Sequence, residues 1–351
     1  MIHTPEGCAA RAAEDPRLQS LRDWLERGLG FASYEIAPAS ADASFRRYFR
    51  VSRAGHPPVI IMDAPPARED VAPYLRVATM LQEIGVNAPR VLEHSADGFL
   101  VLSDLGTRMY LPELSQPGRA DALYADAIDA LVKIQSRGAS AALQLPPYDA
   151  RLLRVEMSLF PDWLLQRHLG LVLSAHEAEM LGAAMDALVA NALGQPQVFV
   201  HRDYHSRNLM VCPGANPGIL DFQDAVRGGL TYDLVSLLRD SYIAWPQERV
   251  VDWALQFRRK AAAAGLATGR DDAQFLRWFD LMGVQRHLKV GGIFARLWHR
   301  DGKPGYLADI PRTLQYAVGS CARHADFAEL GALIEHRVLP AVVAKLEASR
   351  A

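Results

Sequence analysis

The sequence predicts an α+β chain in two lobes, a small β-rich N-terminal lobe at residues 1–104 and a larger, mainly helical C-terminal lobe at residues 105–351. Three observations predict it. Short apolar runs with period-two alternation, punctuated by Pro and Gly, crowd residues 31–104. After Gly106 apolar residues recur at helical spacing over long stretches. A short island of strand-like sequence at 198–222 interrupts the helical part.

The elements follow in order. Leu18, Leu21, Trp24, Leu25 and Leu29 share one side of a helix over 17–29, and Gly28 and Gly30 end it. Strands are expected at 34–37, 45–52 and 58–64, the last closed by Pro65-Pro66. Glu69-Asp70 open a helix reaching Ile84, stopped by Gly85 and Asn87. Strands 91–94 and 99–103 flank the Asp97-Gly98 turn. Leu123, Ala127, Leu131 and Ile134 mark one face of a helix over 121–135. A helix over 151–168 is kinked or divided by Pro161. Ser174 and Glu177 form a capping box for a helix running to Leu193. Strands at 198–200, 209–211 and 219–222 come next, the last two forming a hairpin, and helices resume at Asp233. There is no internal repeat and no low-complexity segment.

Composition narrows the class. A chain of 351 residues that is 50% hydrophobic can bury a core without disulfides. A net charge of -2 argues against a nucleic-acid binder. Three scattered cysteines, Cys8, Cys212 and Cys321, suit a reducing compartment and form no metal spacing. The first twenty residues do not read as a secretory signal, and no run of eighteen apolar residues appears. The expectation is a cytoplasmic protein with a small-molecule substrate, no membrane span and no obligate protein partner.

The chemistry-bearing stretch is His201-Arg202-Asp203-Tyr204-His205-Ser206-Arg207-Asn208, followed by Asp221-Phe222-Gln223-Asp224. Phosphoryl transfer needs a carboxylate beside the accepting hydroxyl and two oxygen ligands that hold magnesium against nucleotide phosphates. Asp203 ends a strand-to-loop turn and suits the first role. Asn208 starts one strand of the predicted hairpin and Asp221 ends the other, so the two meet at its open end.

This pattern resembles the kinase catalytic loop and its metal-binding Asp. With His205, Gly228-Gly229 and Thr231-Tyr232-Asp233, it is similar to the aminoglycoside phosphotransferase/choline kinase branch. The resemblance implies a protein-kinase-like fold with ATP and Mg2+ as cofactors. It implies Asp203 as the catalytic carboxylate, Asn208 and Asp221 as magnesium ligands, and Asp233 as a structural brace. His201 and His205 would hold the loop's shape. The segment from Leu100 to Gly106 stands where the family's connector lies, with backbone groups near Ser103 and Leu105 reading the adenine edge.

Two departures stand out. The lysine of the third strand is missing: the position falls at Met62, and the first of only five lysines is Lys133. The glycine-rich loop is replaced by a segment running from Ser40 through Ser44 to Arg46, Arg47 and Arg50. Either the fold is an inactive ATP-binding scaffold, or arginine has taken over the phosphate grip. Alternation puts Arg46 and Arg50 on one strand face and Arg47 on the other, and the sequence does not choose among them.

The same departures, from Asp42-Ala43-Ser44-Phe45-Arg46-Arg47 and Met62-Asp63-Ala64-Pro65-Pro66 to Gly283-Val284-Gln285-Arg286-His287-Leu288-Lys289, resemble bacterial kinases of cell-wall amino sugars. That resemblance covers about residues 20–345 and implies phosphorylation of the anomeric hydroxyl of N-acetylmuramate or N-acetylglucosamine in peptidoglycan recycling. Its candidate sugar contacts are Glu156, Trp163, Gln285, Arg286 and Lys289, with Arg286 or Lys289 facing the lactyl carboxylate. The rival expectation is a kinase of an aminoglycoside or an amino alcohol.

Overall fold

The computed structural model describes residues 15–41 and 45–349. They group into two compact units. One holds the described residues up to Thr79 with Pro89–Gly106, and the other holds Met80–Ala88 and the described residues from Thr107 on. The boundary falls after Gly106, two residues beyond the expected one. The end of the helix after the third strand also goes with the second unit. There the Gly85 carbonyl accepts from the Lys133 ammonium, and the Asn87 carbonyl accepts from the Ile219 amide at 2.8 Å.

The first unit is built on a five-stranded antiparallel sheet in the order β1-β2-β3-β5-β4. Its strands are β1 (Tyr34–Ala41), β2 (Arg47–Arg53), β3 (Val59–Asp63), β4 (Val91–His94) and β5 (Phe99–Ser103). The helix α1 (Pro16–Asp23) precedes them and continues into a π-helical turn, Trp24–Gly28. Asp15 caps α1 by accepting the amides of Arg17 and Leu18 at 2.9 and 3.2 Å. The strand register pairs Arg47 with Asp63, Phe49 with Ile61 and Val51 with Val59. Those residues share one face with Phe99 and Val101. Leu21 and Leu25 bury their side chains completely against that face, and Trp24 stacks on Phe99. Burial of each such leucine contributes roughly 1.5–3 kcal/mol. One face of the sheet is therefore sealed by α1. Tyr48, Arg50, Ile60, Met62, Leu100 and Leu102 occupy the other.

The second unit is mainly helical. Its helices include α3 (Ala120–Arg137), α4 (Ala150–Met157), α5 (Ala175–Leu193), α6 (Tyr232–Leu238), α7 (Gln247–Ala263), α8 (Asp272–Asp301) and α9 (Ile310–Cys321); α2 (Ala72–Ile84) precedes them in the chain. The expected helix over 151–168 divides, as α4 ends at Met157 and a π-helical stretch, Phe160–Leu169, starts with Pro161 in its first turn. The capping box at Ser174 and Glu177 is present in both halves. Thirty-residue α8, about 45 Å long, is the spine of the unit and is buried almost without break from Phe279 to Gly292. A Cβ at Gly292 would fall 2.3 Å from the backbone of Leu159, so only glycine allows that approach.

Two small ladders sit among these helices. β6 (Gln197–Val200) pairs with β9 (Val226–Gly229), and β7 (Leu209–Met210) pairs with β8 (Gly218–Ile219). The second is the predicted hairpin, with shorter strands. β9 went unrecognised because Gly228 and Gly229 weaken its strand signal. Packing explains them: a Cβ on Gly229 would lie 2.8 Å from the Met282 methyl group. Among the described residues, no helix is long and apolar enough to cross a membrane.

Candidate active site

The loop after β6 is held in an uncommon shape. Arg202 takes a left-handed conformation, φ +77°, and Asp221 another, φ +61°. Neither is glycine, so each needs compensation from its surroundings. Buried Asp233, in the first turn of α6, accepts the amides of His201 and Arg202 at 2.6 and 2.9 Å. Burial pushes its carboxyl up to about 7, against the pull of the two amides. His201 is fully buried and its Nδ1 accepts the Asp203 amide at 3.2 Å. Further along, Asp240 accepts both the amide (2.9 Å) and the hydroxyl of Ser206. The loop is thus a scaffold of buried carboxylates gripping backbone.

That scaffold brings the three predicted residues together. The Asn208 side-chain amide donates to the Asp203 carbonyl at 3.1 Å and to one Asp221 carboxylate oxygen at 3.3 Å. The other Asp221 oxygen accepts from Gln223 at 2.8 Å. The Leu209–Ile219 pairing of the hairpin holds Asn208 and Asp221 at its open end, and the Leu220 amide donates to the Asn208 carbonyl at 2.9 Å. A carboxylate and an amide carbonyl are hard oxygen donors, so this pair fits a magnesium ion.

Asp203 is half-buried, and among the described residues its carboxylate accepts no hydrogen bond. Burial alone would raise it. The charges of Lys289, His205, Arg202 and Arg286 outweigh burial and hold it below the usual carboxylate range. It stays ionised at neutral pH, with lone pairs open to a hydroxyl donor.

Glu156 and Lys289 are brought together, but with each other. Lys289 lies 3.0 Å from Glu156 and donates to the Tyr232 hydroxyl at 3.0 Å. Glu156 also pairs with Arg202 and accepts from the Tyr148 hydroxyl. These side chains form a buried ionic network near Asp203. Gln285 stands nearby, with both side-chain polar atoms buried and unpartnered among the described residues. It is completely buried on the helix stripe between Met282, which packs on Gly229, and Lys289. Trp163 is half-buried with the Arg167 guanidinium 4.7 Å over its ring, and it joins none of these networks. Arg286 does lie near the loop, since its charge acts on Asp203 and His205.

The sequence missed an aromatic wall on the same side. Tyr242 meets His205 edge-on, with ring centres 5.5 Å apart, and Phe294 at 6.3 Å; Phe294 stacks on Tyr306 at 5.5 Å. Arg207, inside the loop after β6, lies over Tyr242. Nothing in the sequence spacing links residues 242, 294 and 306.

In the first unit the three arginines separate. Arg47 lies on the sealed face, bonded to Asp63 at 2.5 and 3.0 Å and to Asp15, and Arg17 completes the group at 2.7 Å from fully buried Asp63. Arg47 therefore fastens α1 to the sheet, with its guanidinium engaged by Asp63 and Asp15. Arg50 is on the open face but bonds Asp104 at 2.6 and 3.1 Å and the Gly106 carbonyl at 2.7 Å. It braces the connector after β5. Arg46 is half-buried, 4.0 Å from Glu69. Ser103 donates its amide to the Arg90 carbonyl and accepts the Arg90 amide on its hydroxyl, both at 2.9 Å. Its amide is thus occupied, and its carbonyl remains the candidate for an adenine edge. Leu105 is half-buried beyond it. Ser44 lies outside the described residues.

A five-stranded antiparallel sheet, a catalytic-type loop after β6 and an Asn–Asp pair on the following hairpin define a phosphotransferase of the kinase-like fold. The chain belongs to the phosphotransferase enzyme family, whose model matches residues 35–279. It is 47% identical over 333 residues to the N-acetylmuramate/N-acetylglucosamine kinase of Pseudomonas aeruginosa, covering 92% of this chain and 97% of that one. It is 44% identical over 318 residues to the protein of the same name from Neisseria meningitidis, covering 90% and 94%. The solved choline kinase of Cryptosporidium parvum superposes with a TM-score of 0.62 at 10% identity, covering 90% of this chain and 99% of that one, a likeness of fold alone.

Proposed function

We propose that this chain is an ATP-dependent amino-sugar kinase that phosphorylates the anomeric hydroxyl of N-acetylmuramate or N-acetylglucosamine in cell-wall recycling. The observation that carries the reading is the ionised Asp203 carboxylate, without a donor among the described residues, beside the Asn208–Asp221 pair. Asp203 orients the C1 hydroxyl and takes its proton as the oxygen attacks the γ-phosphorus of ATP and the bond to ADP breaks. Asn208 and Asp221 would hold magnesium, which neutralises phosphate charge when bound. The chemistry of the surroundings favours a neutral or acidic acceptor. Arg202, Lys289, Arg286 and Arg207 cluster near Asp203, whereas a polycationic aminoglycoside would call for carboxylates there. The names of the relatives at 44–47% identity support the choice of sugar. An ADP-release assay over N-acetylmuramate, N-acetylglucosamine, choline and kanamycin tests it. Turnover with the N-acetylated sugars is expected; turnover with choline or kanamycin alone would sink the reading.

Of the three arginines, Arg46 is the one we assign to the ATP phosphates, in place of the family lysine. It stands just before β2, two residues from Tyr48, and alternation carried back from Tyr48 would put it with the face that α1 leaves open. Arg46→Ala is expected to raise the KM for ATP about tenfold, equivalent to about 1.4 kcal/mol. Arg47→Ala is expected to leave that KM within about twofold and to lower stability by about 1–2 kcal/mol. Steady-state ATP titrations and chemical denaturation of both variants check this, and a KM effect confined to Arg47 would reverse the assignment.

A further inference from the structure

We propose that Arg207 reads the carboxylate of an acidic sugar substrate and sets the preference between acidic and neutral acceptors; this rests on the sugar-kinase reading above. Arg207 stands four residues after Asp203 and one before Asn208. It is exposed, and among the described residues its guanidinium makes no hydrogen bond or ion pair. It is nevertheless held in place, 3.6 Å over the Tyr242 ring and 6.0 Å from that of Tyr306. Stacking fixes the plane of a guanidinium while leaving its N–H edge open for two parallel bonds to a carboxylate. Nearby Asp309 does not claim it, being bonded to Arg312 at 3.0 Å. The Tyr242–Phe294–Tyr306 wall beside it suits the apolar face of a pyranose ring.

The other cations near Asp203 are poorer candidates. Lys289 and Arg202 are engaged by Glu156. Arg286 is only 4% exposed, with its Nε and Nη1 atoms shut off from solvent. A buried cation that lost its partner whenever a neutral sugar bound would pay a desolvation penalty. An exposed one keeps its water. Among the described cations near Asp203, Arg207 is the one that allows an acid and a neutral sugar to use the same site.

The test is the ratio of kcat/KM for N-acetylmuramate to that for N-acetylglucosamine, measured on the full-length protein as wild type, Arg207→Gln and Arg207→Lys. Arg207→Gln is expected to lower the ratio about 10- to 100-fold, mainly through KM for the acid. Arg207→Lys is expected to restore part of it, and the wild-type ratio is expected to fall with added salt. An unchanged ratio, whether both activities drop together or neither moves, overturns the proposal. If the wild type turns over neither sugar, the sugar-kinase reading falls and takes this inference with it; an active wild type with an unmoved ratio sinks this inference alone.

Discussion

Asp203→Asn is expected to lower kcat by about a thousandfold, within the 10²–10⁴ range typical of a lost general base, while the protein stays folded. The substitution keeps the shape and removes the charge. No internal hydrogen bond is lost with the oxygen, because among the described residues no donor reaches the Asp203 carboxylate. The loop around it is held by Asp233 and Asp240, which remain. Binding of ATP is therefore expected to survive, and the loss to appear in kcat far more than in KM. Single-turnover ADP release and a denaturation curve on the same preparation check both halves. Retention of more than a tenth of the wild-type kcat would remove Asp203 from the chemistry.

Glu156→Ala carries the largest expected cost in stability, about 3–5 kcal/mol. Glu156 is 7% exposed and is the anion between Lys289, also 7% exposed, and Arg202. Burial raises its carboxyl, and the two cations outweigh that and hold it low. Its removal strands two positive charges in the interior. Replacing both Glu156 and Lys289 by leucine is expected to cost less than the sum of the single changes, since the stranded charge goes too. The network also touches catalysis. Lys289 is the foremost of the charges that hold the Asp203 carboxyl down. Lys289→Met is thus expected to move the acid limb of the kcat/KM profile to higher pH, because Asp203 then protonates sooner as the pH falls. Denaturation midpoints and pH profiles of the three variants check this. A limb that stays in place would mean Lys289 serves packing alone.

What was legible in the sequence was local. Strands 91–94 and 99–103 and the capping box at Ser174 were set by alternation and by side chains within three residues of the backbone they serve. The meeting of Asp203, Asn208 and Asp221 was legible because loop and hairpin place them within nineteen positions of one another. The non-local partners were not. Glu156 and Lys289 are 133 residues apart in the chain and meet only because α4 packs on α8. Alternation separated Arg47 from Arg50 correctly, but which face would be covered depended on α1, more than twenty residues upstream. The Gly228-Gly229 pair gave a family likeness without its cause, which is the close approach of Met282 and Tyr148.

Phosphorus NMR of the purified product reads the position of the transferred phosphate. With N-acetylmuramate or N-acetylglucosamine, ATP and magnesium, one sugar phosphate is expected, its phosphorus coupled to the anomeric proton. A phosphorus coupled instead to the C6 protons, or no phosphorylated sugar from either substrate, would contradict the anomeric assignment.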